Sequence, residues 1–403
     1  MKHYFPSFSE FRSLSDKGNI IPVYRELLAD ALTPVMAYQR LAMPAGFAPA
    51  KNAFLLESVV GGERMARYSF VAVDPEATFV ARRDEITVTR RGQEPQVIHS
   101  HDPLGELSKL LEPYKHVPMP HLPRFTGGVV GYAGYDMVRY YENLGEGPHD
   151  DRHLPDLAFG LYRVMVIFDH VSKTIKVVAN AHTSENGYSE ACEMIERTIT
   201  RLREGGGSAV AEINTVGLPE KPFGSNFARD AYMKTVDACK EYIKAGDIFQ
   251  VVPSQRLSLE TTAKPFQIYR ALRVVNPSPF MFLLSTPDVT LVGASPEILC
   301  RVEDGIVTNR PLAGTRKRGA TEEEDQALEA ELRADPKDRA EHIMLVDLAR
   351  NDVGRVAEPS SIELSEVMKI ERYSHVMHIV SDVKGKLLPG KNAFDALRAA
   401  ACP

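Results

Sequence analysis

The chain has 403 residues, of which 44% are apolar and 25% charged, as in a globular protein of one or two domains. Its formal net charge of −6 argues against nucleic acid as a partner, and no apolar run is long enough to span a bilayer. Four cysteines without paired spacing and an N-terminus without an apolar signal segment indicate a reduced, cytoplasmic protein.

The first half of the chain shows a mixture of helical and alternating patterns. A helix with its entry is predicted over 20–42, strands over 52–60 and 68–80, a glycine-rich strand leading into a helix over 125–140, a hairpin over 164–169 and 174–181, and a helix over 187–204. The glycines at 205–207 begin the best candidate for a boundary. We therefore predict an N-terminal region, residues 1–215, and a second domain, residues 222–403.

The second half is predicted to contain strands first and long helices afterwards. The predicted helices cover 226–246, 266–275, 321–334 and 335–354, and the predicted strands cover 249–252, 256–259, 280–285, 290–292, 298–302, 306–310 and 373–381. This order favours an α+β fold, with large antiparallel sheets packed as a sandwich and flanked by helices, over a doubly wound one.

Glu341 is a candidate metal ligand on the helix that begins after Asp335 and ends at Gly354. Helical spacing places it on one face with Met344, Leu345 and Leu348, and we expect that face to pack inward. A carboxylate facing the interior needs a cation, and oxygen ligands suit Mg²⁺. The alternative is a surface ion pair involving Glu341 and His342.

Glu297 is a candidate proton donor. It follows Ser295-Pro296, which favours an extended or turn conformation, and it begins a predicted strand, where acids are disfavoured. An acid held against that preference can have a raised pKa and donate a proton. A solvent-facing turn acid is the equally weighted alternative.

A basic loop and a histidine-bearing strand complete the candidate sites. The loop 310–319 contains Gly314 and Thr315, whose backbone N–H and hydroxyl could approach an anion while the neighbouring arginines supply positive charge. Such loops are more often simply solvated. His378 lies in an apolar strand, where a hydrogen-bonded core histidine is more common than a catalyst.

Taken together, these segments resemble one known family. The motifs are 242–256, 293–297, 311–316, 341–354 and 373–378, with Leu55–Ser58, Arg67–Phe70 and Gly127–Tyr132 in the first half. They resemble the chorismate-utilising enzymes, and most closely the large subunit of anthranilate synthase. The resemblance covers nearly the whole chain, and its motifs are long and in the same order.

The resemblance implies a lyase reaction in tryptophan biosynthesis, in which chorismate and ammonia give anthranilate and pyruvate. It implies Mg²⁺ on Glu341, Glu297 as the acid for the leaving hydroxyl, and His378 as its helper. Gly314 and Thr315 match the pair that contacts chorismate, and Asp338 is a further candidate near the metal.

Two positions separate this chain from its relatives. Relatives that add water resemble each other in having a lysine where this chain has Gln250, and a glutamine cannot serve as the base that activates water. Aminodeoxychorismate synthases typically carry a lysine, a potential nucleophile, where this chain has Ala313. Both positions favour anthranilate formation. An aminodeoxychorismate synthase component remains the alternative enzyme.

The resemblance also implies partners and regulation. Ser58 and the segment Pro279, Phe280 and Met281 match the feedback site for L-tryptophan, although Phe280 replaces a residue that is often tyrosine. No cysteine lies in a nucleophile elbow, so glutamine use would require ammonia from a separate glutamine amidotransferase subunit.

The C-terminal end departs from the family. In relatives a further segment begins near residue 403 and supplies substrate ligands and a second metal-binding glutamate. We therefore expect a truncated chain, or a fragment, that does not turn over chorismate alone. A non-catalytic remnant that binds tryptophan is the third reading. We also expect the final helix, from Ala393, to have no partner for its apolar face (Phe394, Leu397, Ala401).

Overall fold

The structure is a computed structural model, and it describes residues 3–43, 49–58, 67–204, 212–213, 221–373 and 375–401. The chain divides into two compact units. The larger unit comprises Met1–Val210 and Tyr269–Pro403, and the smaller unit comprises Ala211–Ile268.

Antiparallel sheets dominate the larger unit. The seven-stranded sheet consists, in spatial order, of β1 (Ile20–Leu28), β10 (Thr174–His182), β9 (Val164–Asp169), β3 (Tyr68–Val73), β2 (Ala53–Glu57), β13 (Phe280–Ser285) and β14 (Thr290–Ser295). A second sheet consists of β6 (Gln96–His99), β5 (Glu85–Arg90), β4 (Ala77–Arg82), β8 (Leu157–Tyr162) and β7 (Gly128–Ala133). The third contains β15 (Arg301–Glu303), β16 (Ile306–Asn309), β17 (Leu312–Lys317), β18 (Glu363–Arg372) and β19 (Val376–Lys386).

Helices flank these sheets. The larger unit contains α1 (Phe8–Leu14), α2 (Pro34–Ala42), α3 (Pro103–Leu111), α4 (Gly187–Glu204), α7 (Glu322–Ala334), α8 (Pro336–Gly354) and α9 (Ala393–Ala401), with 3₁₀ turns at Tyr135–Tyr140 and Pro359–Ser361. The smaller unit contains α5 (Arg229–Ala245) and the two-residue strands β11 (Gly224–Ser225) and β12 (Leu257–Ser258). Helix α6 (Pro265–Val275) begins in the smaller unit and ends in the larger one.

The predicted α+β class with antiparallel sheets is confirmed. The first two sheets pack as a sandwich around one apolar core, in which Phe54 and Met165 of the seven-stranded sheet meet Tyr162 of the second sheet. On its other side the second sheet buries Phe79 and Ile86 against α3.

Helix α9 packs on this same part of the second sheet. Its Phe394, Leu397 and Ala401 contact the core that contains Leu104 and Leu107 of α3. The expectation that its apolar face has no partner was therefore wrong. The sequence pattern identified the apolar face correctly, but its partners lie almost 300 residues earlier in the chain.

Strands from both sides of residue 215 belong to the seven-stranded sheet. Strand β13 pairs with β2, and the register places Met281 opposite Glu57. The division of the chain at residues 215–222 stays a prediction, and residues 214–220 lie outside the described part.

Several predicted elements were wrong in type or extent. The predicted strand over 68–80 is two strands, β3 and β4, which belong to different sheets. Residues 20–28 form the edge strand β1 and not a helix, since Pro22 disfavours a helix interior but is tolerated at a sheet edge. Residues 249–252 form no strand. The predicted strand 298–302 is reduced to Arg301–Glu303.

The smaller unit contributes one long helix and a short two-stranded ladder. Helix α5 ends at Gly246, whose φ of +82° gives the left-handed cap that glycine adopts most easily. Across the described residues of both units, we find no helix that combines the length and apolar character needed to cross a membrane.

Candidate active site

Strand β17 positions the candidate site through a bulge at Gly314. The register with β19 shifts between Ala313 and Thr315, and Gly314 has a φ of +74°. A Cβ at Gly314 would lie 3.1 Å from Ile379 Cδ1 and 3.2 Å from Asp338 Cβ. The bulge therefore needs glycine both for its backbone conformation and for its close contact with α8.

His378 lies directly opposite Thr315 on the neighbouring strand β19. Its Nδ1 is 2.9 Å from the Thr315 hydroxyl and 3.2 Å from the Gly314 carbonyl oxygen. Because a carbonyl only accepts hydrogen bonds, this geometry favours the neutral tautomer with a proton on Nδ1 and a free lone pair on Nε2. Burial lowers the pKa of His378, and the bond to Gly314 partly opposes that effect.

Glu297 reaches the same strand from the turn after β14. The backbone N–H of Leu312, at the start of β17, donates to its carboxylate, while the Ser295 hydroxyl accepts from the Glu297 backbone N–H at 3.3 Å. The residue as a whole is exposed, yet the protein packed around its carboxyl desolvates the charged form. Burial therefore raises the pKa of Glu297, and the Leu312 N–H reduces the increase.

Tyr373, for which no role was predicted, lies inside the motif that contains His378. Its ring packs edge to face on His378, with 5.5 Å between the ring centroids. Its hydroxyl donates to Glu371 at 3.0 Å. Burial, Glu371 and, more weakly, the Glu297 carboxylate all raise the pKa of Tyr373. Tyr373 thus contacts one predicted catalytic residue and lies within electrostatic range of the other.

Helix α8 packs against β17 and β19, but the predicted inward face was wrong. Its buried residues are His342, Val346, Ala349, Asp352 and Val353, whereas Leu348 is 38% exposed. Glu341 is half-buried beside this stripe.

His342 is completely buried, so the alternative of a surface ion pair between Glu341 and His342 was also wrong. His342 Nε2 lies 2.7 Å from the Ser381 hydroxyl of β19, and this bond ties the helix to the sheet. Burial lowers the pKa of His342 and favours the neutral ring.

The two candidate carboxylates of α8, Glu341 and Asp338, differ in their availability to Mg²⁺. Among the residues that the structure describes, the Glu341 carboxylate has no hydrogen-bond or ion-pair partner, so its oxygens are available to a ligand. Asp338 is held by Arg316, with Nη1 2.7 Å from Oδ2. No group of three potential metal ligands occurs in this part of the chain. One free carboxylate is compatible with Mg²⁺, which commonly uses one or two protein carboxylates together with water and substrate oxygens.

The three arginines of the basic loop are paired within the protein. Arg310 binds Glu371 and Asp382, Arg316 binds Glu331, Asp335 and Asp338, and Arg318 binds Asp325. The alternative in which these arginines supply positive charge to an anionic ligand is therefore not supported, because acids already neutralise them. The acids that neutralise them lie on other elements, and no local pattern revealed them.

The predicted feedback residues meet at the β2–β13 pair. Ser58 directly follows Glu57, and the antiparallel register brings it beside Phe280. The neighbouring Glu57 is buried and accepts from the Tyr269 hydroxyl at 2.6 Å, while Arg273 Nε lies 2.8 Å from its Oε2. The structure thus brings the two segments together, but their role stays a prediction.

Gln250 lies in the smaller unit, where it is exposed in a segment without regular structure. Its predicted role stays a prediction.

The chain matches the family described as chorismate binding enzyme over residues 51–401. It is 41% identical over 401 residues to anthranilate synthase component 1 of Acetivibrio thermocellus, which covers 98% of this chain and 80% of that protein. It is 43% identical over 395 residues to the Pseudomonas putida protein of the same name, with 97% and 79% covered.

Two solved structures are also similar to this chain. The crystal structure of anthranilate synthase component I from Streptococcus pneumoniae TIGR4 matches with a TM-score of 0.74 and 34% identity, over 93% of this chain and 78% of that chain. The menaquinone-specific isochorismate synthase of Escherichia coli, at 14% identity and a TM-score of 0.58, shares the fold.

Proposed function

This chain belongs to the anthranilate synthase component 1 family of chorismate-binding enzymes, and from that premise we propose that it converts chorismate and ammonia to anthranilate and pyruvate in tryptophan biosynthesis. The observation that carries the proposal is the convergence of Glu297, His378 and the Gly314 bulge on strand β17. These groups can hold an oxygen-rich substrate and protonate it. The cytoplasmic location predicted from the sequence stays a prediction.

Glu297 acts as the proton donor in this proposal. The C4 hydroxyl of chorismate is a poor leaving group, and protonation lets it leave as water when the C–O bond breaks. The raised pKa of Glu297 keeps more of the carboxyl protonated near neutral pH than an ordinary glutamate would. Ammonia then forms the new bond at C2, and loss of pyruvate with a ring proton gives the aromatic product.

His378 and Thr315 position the substrate beside Glu297. The Thr315 hydroxyl and the Gly314 carbonyl hold the Nδ1 edge of the imidazole, so its Nε2 edge can accept a hydrogen bond. The neutral form favoured by burial keeps this lone pair available.

Glu341 would hold Mg²⁺ through its unpaired carboxylate. When bound, the ion would neutralise a carboxylate of the substrate dianion and orient it. Helix α8 would keep Glu341 above β17 through the buried bond between His342 and Ser381.

Two side chains favour ammonia over other nucleophiles. Ala313 is buried opposite Ile379, and its methyl group cannot attack the ring as a lysine could. Gln250 has no basic lone pair to activate water. In this proposal a separate glutamine amidotransferase subunit supplies the ammonia.

We further propose that L-tryptophan inhibits the enzyme at the β2–β13 edge, through Ser58, Pro279, Phe280 and Met281. The proximity of these segments in the sheet supports a single pocket. The network of Glu57, Tyr269 and Arg273 would fix its floor.

Product analysis tests the proposed reaction. The complete protein, with any residues that its gene encodes after position 403, is incubated with chorismate, Mg²⁺ and an ammonium salt. We expect anthranilate, identified by fluorescence and mass, and pyruvate in equal amounts. Accumulation of 4-amino-4-deoxychorismate would instead assign the chain to aminodeoxychorismate synthesis, and tryptophan binding without chorismate binding would assign it to a regulatory role.

A separate binding experiment tests the feedback site. The chain contains no tryptophan residue, so L-tryptophan added to the 403-residue chain is the only indole fluorophore. We expect saturable binding that Ser58→Arg abolishes and that Ser9→Arg, on the exposed face of α1, leaves unchanged. Equal binding by the two variants would remove the assignment.

A further inference from the structure

Strand β13 lies between the proposed feedback residues of β2 and the strand that leads to the proposed proton donor. On one side it pairs with β2, whose last residue, Glu57, precedes Ser58. On the other side it pairs with β14, where Phe280 lies opposite Ser295. Neighbouring strands of a sheet are about 5 Å apart, so a single strand separates this end of β2 from the turn that carries Glu297.

Ser278 adds a side-chain connection between β13 and β14, just beyond their last residue pair. Its hydroxyl donates to the backbone carbonyl oxygen of Ser295 and accepts from the backbone N–H of Phe280 at 3.3 Å. Only 5% of Ser278 is exposed, so water competes little for either hydrogen bond. One buried hydroxyl therefore joins the proposed feedback segment to the residue two positions before Glu297.

The connection continues from Ser295 to Glu297. The Ser295 hydroxyl accepts from the Glu297 backbone N–H at 3.3 Å and lies 3.2 Å from the Glu297 carbonyl oxygen, to which it can donate. Pro296, between them, has a fixed φ and restricts the backbone of the residue before it. The turn therefore has little freedom of its own, and a displacement of Ser295 moves Glu297.

Close packing holds β13 and β14 together next to this connection. Phe282 lies opposite Gly293, and a Cβ at Gly293 would be 2.1 Å from Cζ of the Phe282 ring. The aromatic ring thus occupies the space that any other side chain at position 293 would need. Because of this contact, β14 follows β13 when that strand is displaced.

We propose that Ser278 couples tryptophan binding to the position of Glu297, an inference that rests on the feedback site and the proton donor of the proposed function. Tryptophan bound at Pro279, Phe280 and Met281 favours one position of this segment, and chorismate bound beside Glu297 favours another. The hydrogen bond from Ser278 to Ser295 makes the two positions exclusive. Coupling between two ligands is reciprocal, so each weakens the binding of the other by the same factor.

Equilibrium dialysis with isotopically labelled L-tryptophan tests the coupling without catalysis. The complete protein, with any residues that its gene encodes after position 403, is measured with Mg²⁺ and without ammonia, in the presence and absence of saturating chorismate. We expect chorismate to raise the Kd for tryptophan by about fivefold or more in the wild type. The measurement concerns binding alone, so it can be interpreted whichever product the enzyme forms.

Two variants interrupt the connection at different points. Ser278→Ala removes the bond to the Ser295 carbonyl oxygen, and Ser295→Ala removes the hydroxyl that holds Glu297. In both we expect tryptophan to bind without chorismate, which shows that the protein is folded, and chorismate to raise the Kd by less than about twofold. Ser295 is less buried than Ser278, so its variant keeps the test decisive if Ser278→Ala does not fold.

Ser285→Ala is the matched control, because Ser285 lies at the other end of β13, where its hydroxyl is 3.1 Å from that of Tyr38. We expect it to retain the wild-type increase in Kd. A wild-type increase in either interrupted variant, no increase in the wild type, or an equal loss in Ser285→Ala would overturn the coupling and leave the feedback site in place. Absence of tryptophan binding by the wild type would remove the feedback site and the coupling together.

Discussion

Two carboxylates of the larger unit, Glu57 and Asp352, are each 5% exposed, but their surroundings differ. Glu57, at the end of β2, is paired with the Tyr269 hydroxyl and with Arg273. Asp352, in α8, has a buried Oδ1 without a hydrogen-bond partner in the described part of the chain. Burial raises the pKa of both groups, that of Asp352 to about 6.

The difference separates a buried carboxylate with partners from one with an unpaired oxygen, which lies on the helix proposed to hold the metal. The edge of the seven-stranded sheet uses its buried charge to link β2 to α6. Helix α8 instead leaves buried polar atoms unpaired, Asp352 Oδ1 and His342 Nδ1, on the element that carries Glu341. Unpaired buried polar groups cost stability.

The largest expected effect is a loss of activity without a loss of stability. Glu297→Gln removes the proposed proton donor, and we expect kcat for anthranilate formation to fall by roughly 10²- to 10⁴-fold. Glutamine keeps an oxygen that can accept from the Leu312 N–H and carries no charge to desolvate, so we expect no fall in the free energy of unfolding. Steady-state kinetics and urea denaturation check this, with Glu94→Gln at an exposed site as the control. Retained activity would remove Glu297 from the mechanism.

At Glu57, in the seven-stranded sheet, we expect a loss of stability. Glu57→Ala leaves the Tyr269 hydroxyl and the partly buried Arg273 without their partner, and we expect unfolding to become easier by about 3 kcal/mol. Glu193→Ala, which breaks an exposed ion pair, should cost less than about 1 kcal/mol. Urea denaturation measures both values. Equal costs would contradict the structural role given to Glu57.

Asp352→Asn should stabilise the protein, and the effect should depend on pH. The pKa of Asp352 rises from 3.8 to about 6 on folding, so the folded state binds the proton more tightly and stability falls as pH rises from about 4 to 6. We expect the variant to gain about 3 kcal/mol over the wild type at pH 8 and almost nothing at pH 4. Parallel urea titrations at the two pH values measure this. A gain of the same size at both would show that the charge is not its cause.

The smallest expected change in stability concerns Gly314, at the bulge in β17. Gly314→Ala should cost about 2 kcal/mol, through the positive φ and the contacts with Ile379 and Asp338. Gly92 has the same φ of +74° with no atom within 4 Å of a Cβ, so Gly92→Ala isolates the backbone cost, about 1 kcal/mol. Thermal unfolding compares the two variants. Equal losses of stability in the two variants would show that contact with α8 adds nothing to the backbone cost at Gly314.

Local signals predicted several parts of the molecule well. Asp335 caps α8 as expected, accepting hydrogen bonds from the backbone N–H groups of Lys337 and Asp338. The motifs that contain Glu297, Gly314 and His378 are also visible in the sequence, without their proximity. Capping and motif spacing are properties of neighbouring residues, so they can be read along the chain.

The orientation of α8 was not predicted correctly. Adjacent residues of a helix point about 100° apart, so choosing the face of Glu341 instead of that of His342 misplaced the whole buried stripe. Both faces contain apolar residues, and their spacing alone could not decide between them.

The sequence by itself determined the family, the α+β class and the identity of the residues that converge on β17, because these depend on residue type and order. The tertiary structure alone decided that the arginines at 310, 316 and 318 are neutralised by distant acids and that Tyr373 packs on His378. Such pairings join residues far apart in the chain, and their partners are fixed by how sheets and helices pack.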